Sequence, residues 1–197
     1  MDTLLAICQA IGLALAVGVG GPIAALFITV MACLHIGIDP RGTKWDFLGK
    51  IWFLFLVMVS SAVALSLARS EDGPRRIARL GFATVFGAIA GAASLAENGD
   101  SAIFGLVIGA LVGAGSGIVA TDVLIGARRR AELSNLESKA SAGNTLEGIF
   151  AAAGIVIAVF ALFVPPLSLL GIVALVVLAN GRRRKAGEKY EGLRVLR

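Results

Sequence analysis

The stretch Gly18-Val19-Gly20-Gly21-Pro22 interrupts an apolar tract that runs from Thr3 to Ile38, and Pro165-Pro166 interrupts a second one from Leu146 to Asn180. As one unbroken helix each tract would extend roughly 50 Å at 1.5 Å per residue, against a hydrocarbon core of about 30 Å. A single straight crossing does not use that length. Proline removes an amide donor and clashes with the preceding turn, and adjacent glycines let the chain turn sharply. The tracts therefore read as two broken helices or helical hairpins, elements that mark the working centre of many transporters and channels.

Composition supports the bilayer as solvent. The 197 residues are 57% hydrophobic and 16% charged, well beyond the balance of a soluble domain. Most of the chain lies in apolar runs, which predicts a single membrane domain over residues 1–197 with short connections. The formal net charge of +5 comes from basic clusters beside apolar runs, a topology signal rather than a nucleic-acid surface. Attraction to anionic membrane lipid is a secondary consequence. Cys8 and Cys33, the only two cysteines, are too few and too far apart for a metal site or a disulfide scaffold. The N-terminus lacks the basic residue that precedes a cleaved signal, so Thr3 onward reads as a resident helix.

Three plainer spans lie between the broken tracts, at about 47–68, 77–96 and 102–126, each near the twenty apolar residues of one crossing. Residues 127–144 read as a polar connection and 181–197 as a basic tail. The expected fold is an all-α, polytopic transmembrane bundle of seven helical pieces. Arg75, Arg76 and Arg79, the run Arg128-Arg129-Arg130 and the tail Arg182-Arg183-Arg184-Lys185 make three basic connections, whereas Glu97-Asn98-Gly99-Asp100-Ser101 has no basic residue. The positive-inside rule then puts the basic loops and the C-terminus in the cytoplasm. The second tract must begin and end there, which makes Pro165-Pro166 a hairpin tip. The same count puts the loop Asp39 to Lys50 outside; by analogy the first tract reads as a hairpin too, which places the N-terminus outside, whereas a single kinked crossing places it inside. Such a hairpin holds Cys8 and Cys33 at one depth; a merely kinked crossing separates them by roughly 30 Å or more.

The candidate solute path is the unwound backbone at Gly18, Gly20, Gly21, Pro22, Pro165 and Pro166. Candidate polar or ionisable groups are Gln9, His35, Asp122 and Glu147. An acidic residue in a membrane helix is costly and is a functional candidate by default. Asp122, however, lies six residues before Arg128, close enough to reach an arginine of its own loop. Asn144 and Glu147 fit a capping box at the start of the last tract. His35 sits beside Asp39 at an expected interface, where it serves as an anchor or a pH-sensitive group. Gln9 and Thr29, inside the first tract, suit interhelical hydrogen bonds or a transport site. Trp45 and Trp52 belong at headgroup level.

Gly105, Gly109, Gly113 and Gly117 recur every fourth residue, with Ala83, Gly87 and Gly91 in matching register. In lipid a stripe of small residues permits close backbone approach, so these two spans should pack as a pair within the chain or, failing that, across a homo-oligomer interface. No nucleophile with a base, no metal cluster and no phosphate loop is visible, so neither catalysis nor a cofactor is expected.

With Gly12-Leu13 followed by the Gly18 to Pro22 break, the glycine-rich central pair, Gly143-Asn144 leading into the last tract and the basic tail, the chain resembles the DUF4126 family of bacterial integral membrane proteins. The resemblance covers nearly the whole chain and implies a bacterial inner-membrane protein, without implying an activity. The expected role is a small-solute or ion transporter or channel working at the two breaks. The alternative is a structural or assembly subunit of a membrane complex, and a lipid-handling role ranks third.

Overall fold

The computed structural model describes residues 3–67, 72–134, 139–174, 176, 177 and 180, with backbone alone for 72, 74, 75, 128–134 and 139–144. Helices account for nearly all of this: α1 (Thr3–Gly20), α2 (Pro22–Cys33), a 3-10 turn (Asp46–Gly49), α3 (Ile51–Leu67), α4 (Asp72–Glu97), α5 (Ala102–Ser134), α6 (Lys139–Phe163) and α7 (Pro165–Ala174). Thr3–Gly20, Arg76–Glu97, Ala102–Ala127 and Thr145–Phe163 are long and apolar enough to cross a bilayer. The remaining apolar helices α2, α3 and α7 are shorter. Four such helices among the described residues are the makeup of a multi-pass membrane protein.

α1 is the buried axis, with Ala6, Ala10, Leu13, Ala14 and Ala16 wholly covered. Its small side chains let neighbours approach from several sides, which suits packing driven by dispersion rather than by water. α4 runs antiparallel to it: the Ser94 hydroxyl donates to the Ala6 carbonyl at 3.4 Å, and Arg79 Nη2 donates to the Val19 carbonyl at 2.9 Å. The bundle thus has an Arg79 end, where α1 stops and α4 starts, and an Asp100 end, where α4 turns into α5.

Both terminal tracts reverse direction. Gln9 Nε2 donates to the Gly37 carbonyl at 2.8 Å. In one continuous helix those residues would lie about 42 Å apart. The reversal is made at Gly21, whose φ of 61° and ψ of −140° are disfavoured for residues with a Cβ, and Pro22 then opens α2 where its missing amide does no harm. In the second tract, a Cβ built on Gly171 would lie 3.8 Å from Ile157 Cδ1, although a straight helix would part them by about 21 Å. Val164 still bonds back to Phe160 at 2.8 Å, and the two amide-less prolines follow.

Several boundaries differ from the sequence expectation. The connection at 127–144 is helical at both ends, because α5 runs on to Ser134 and α6 begins at Lys139; residues 135–138 lie outside the described set. Its alanines, arginines and glutamates are good helix formers, so loss of apolarity did not mean loss of helix. Asn144 is consequently inside α6 rather than at its N-terminus, so the capping-box reading of Asn144 and Glu147 does not hold. The span expected at 47–68 begins later, since Asp46–Gly49 forms a 3-10 turn and Lys50 is extended. The basic tail at 181–197 lies outside the described residues.

Candidate functional site

At the Arg79 end the break between α1 and α2 borders a cavity of about 260 Å³ lined by Gly20, Pro22, Ile23, Ala64, Leu65, Arg79, Glu147, Gly148 and Ala151. Four parts of the fold meet there. The break supplies backbone, α3 supplies Ala64 and Leu65, α4 supplies Arg79, and α6 supplies Glu147. A helix that stops inside a bundle leaves carbonyls without helical partners. Arg79 answers one of them through its bond to Val19, and its guanidinium lies over Gly21, 3.8 Å from where a Cβ would stand. No side chain caps the first turn of α2.

Close packing explains why the break sits where it does. Gly20 and Gly154 meet backbone to backbone, a Cβ on Gly20 falling 2.8 Å from Gly154 Cα. A Cβ on Gly18 would fall 2.7 Å from the Gly113 carbonyl oxygen. Gly18 is thus a contact point with α5, while Gly20 and Pro22 face the cavity and Gly21 turns the chain.

The prolines are elsewhere. Ser168, in the first turn of α7, donates to the Cys8 carbonyl at 3.1 Å and to the Pro165 carbonyl at 2.6 Å, which fixes that tip at the Asp100 end. Cys8 precedes Gly20 by twelve residues, or about 18 Å of helix. The expected solute path drew both breaks together, but they sit at opposite ends of the bundle. Between them Leu13, Ala16, Val17, Ala158 and Ala161 are fully packed.

Gln9 is a clamp. Its amide nitrogen holds Gly37, and its carbonyl accepts from Ser94 Oγ at 3.2 Å. Fully buried, it ties α1 to α4 and to the chain beyond α2. Thr29 bonds back to the Ala25 carbonyl at 2.8 Å, within its own helix. Asp122 pairs with Arg76 of α4 at 3.4 Å, an ion pair between neighbouring spans, while the side chains of Arg128, Arg129 and Arg130 lie outside the described set. His35 is exposed just past α2 with φ 57°, and its Nε2 faces Gly49.

Outside the spans, Asp39 accepts a hydrogen bond from Arg41 Nε at 2.7 Å, which lowers its carboxyl to a pKa of about 2. Trp45, Phe47, Trp52 and Phe53 form an aromatic cluster at the start of α3, with Phe47 centred 5.6 Å from Trp45 and 6.1 Å from Trp52.

The small-residue stripes face each other across α4 and α5. A Cβ on Gly91 would stand 2.5 Å from the Gly105 carbonyl oxygen, and one on Gly87 would stand 2.8 Å from that of Gly109. Gly113 faces the Ala83 carbonyl, and Gly117 meets the Ala83 side chain. The seam therefore lies within one chain.

Arg79 is the site residue that sequence reasoning missed, because it was counted only as a loop charge. Its position just inside a span, among Ile77, Leu80 and Phe82, was the available signal. No group of three or more metal-ligating side chains occurs among the described residues. Comparison with models of protein families, with curated proteins and with solved structures found no match.

Proposed function

We propose that this multi-pass membrane protein binds a small solute or ion in the cavity beside the Gly20–Pro22 break, as the binding end of a transporter or channel. One observation carries the reading: Arg79 and Glu147, from separate helices, line the same cavity as an interrupted helix. Charged side chains in membrane helices are expensive, and irregular backbone at that depth is tolerated where it is buried or lines a cavity. The proline tip at the Asp100 end acts as the fold-back of the second tract, outside the binding site. Membership of the DUF4126 family, a bacterial inner membrane and a cytoplasmic Arg79 end belong to the same proposal, resting on the sequence motifs and the basic loops.

Reconstituted protein is expected to raise flux of at least one small ion or solute above empty liposomes, with Arg79→Gln and Glu147→Gln altering it. Flux at the empty-liposome level across a broad panel would overturn transport.

The packed interior between the two breaks favours a second reading, a structural or assembly subunit whose broken helices serve packing. A stoichiometric partner that co-purifies, with no flux, would establish it.

A further inference from the structure

The cavity is charged within and apolar at its edge. Ile23 and Leu65, 40% and 39% exposed, lie on the outer face of the bundle, and Ala64 and Ala151 continue that wall. Its mouth therefore opens on apolar outer surface of the kind that lipid covers in a bilayer, at the end where α4 starts. A lone anion there would face the Glu147 carboxylate, and a lone cation would face the Arg79 guanidinium. A ligand carrying both charges, with apolar chains attached, meets each wall on its own terms.

We propose that the cavity seats the head group of a zwitterionic membrane lipid bearing a primary ammonium, its phosphate toward Arg79 and its ammonium toward Glu147. This rests on the reading of the cavity as a ligand site but not on transport. The volume, about 260 Å³, lies just under the roughly 300–1,000 Å³ of drug-sized sites, so it holds a head group and leaves the acyl chains outside along Ile23 and Leu65. Arg suits phosphate through its planar fork of donors, and an ammonium with hydrogens to give suits a carboxylate better than a quaternary one.

Gly148 offers a clean test. It lines the cavity, and a Cβ built there meets nothing within 4 Å, so the side chain of Gly148→Phe starts in open space at the cavity wall. The full chain, purified in detergent, would be offered equimolar phosphatidylethanolamine, phosphatidylcholine and phosphatidylglycerol of identical chains, and bound lipid read by native mass spectrometry. Phosphatidylethanolamine should be retained about tenfold over the other two. Gly148→Phe should abolish that preference at an unchanged melting temperature, and Glu147→Gln should shift retention toward phosphatidylglycerol. Equal retention of the three lipids, or a preference that survives Gly148→Phe, would overturn the proposal. Complete displacement by water-soluble phosphoethanolamine at the lipid's own concentration would overturn the lipid as the source. Absence of flux would touch only the transport reading.

Discussion

Gln9 and Gly37 are joined by a 2.8 Å hydrogen bond across 28 residues of chain, and that bond places the start of the first tract beside its end. Gln9 is buried although Gly37 is exposed, and it also accepts from Ser94, so one side chain pins three segments.

Gln9→Leu should therefore destabilise the fold by about 0.5–1.5 kcal/mol, because the Gly37 carbonyl loses its bond and the Ser94 hydroxyl keeps only the Ala6 carbonyl. Ser94→Ala should cost less, since Gln9 keeps its bond to Gly37. The double variant should cost less than the sum of the two, as for groups in one network. Unfolding titrations in mixed micelles read all three; strict additivity would contradict the clamp.

The α4–α5 seam predicts position-specific intolerance. Gly91→Ala or Gly105→Ala should destabilise by about 1–3 kcal/mol, because the new methyl meets backbone that cannot swing aside. Gly115→Ala, where a Cβ meets nothing within 4 Å, should be neutral or stabilising by up to about 1 kcal/mol. Thermal melting of the purified variants separates the two classes.

Much of this architecture was legible from residue order. Glycine followed by proline at 21 and 22, and paired prolines at 165 and 166, announce breaks because few residues take those backbone conformations or forgo an amide. The four-residue glycine spacing announced a flat seam. The site was harder to read: Arg79 and Glu147 are 68 positions apart, and only the antiparallel arrangement of α1 with α4 and α6 brings them to one cavity. Local pattern also misled at Asn144-Thr145-Leu146-Glu147, which matches a capping box although the helix had started at Lys139. A fall in apolarity marks where a helix leaves lipid, and helix formers carried α5 and α6 past that point.

Gly12 should be equally unforgiving, for a different reason. A Cβ there would stand 2.5 Å from Ser168 Cβ and 2.7 Å from Ala161 Cβ, so Gly12→Val should push α7 off α1. Faster hydrogen exchange over residues 165–174, with α4 and α5 unchanged, is the expected result.

Asp39 sets a pH dependence outside the spans. The bond from Arg41 holds its folded pKa at about 2, below the ordinary 3.8. Because the folded value is the lower one, the stabilisation is complete above the ordinary value and fades as pH falls through about 2. Arg41→Ala should return the carboxyl toward 3.8, and NMR titration of Asp39 reads this directly. The effect on stability should be small, since the pair is solvent-exposed.

The fold-back of the first tract is tested most directly with the chain's own Cys8 and Cys33, both partly exposed and the only two cysteines to carry spin labels. A reversal at Gly21 predicts a narrow dipolar distance under about 25 Å in the reconstituted protein. A continuous or merely kinked helix, spanning roughly 38 Å over those 25 residues, would contradict it.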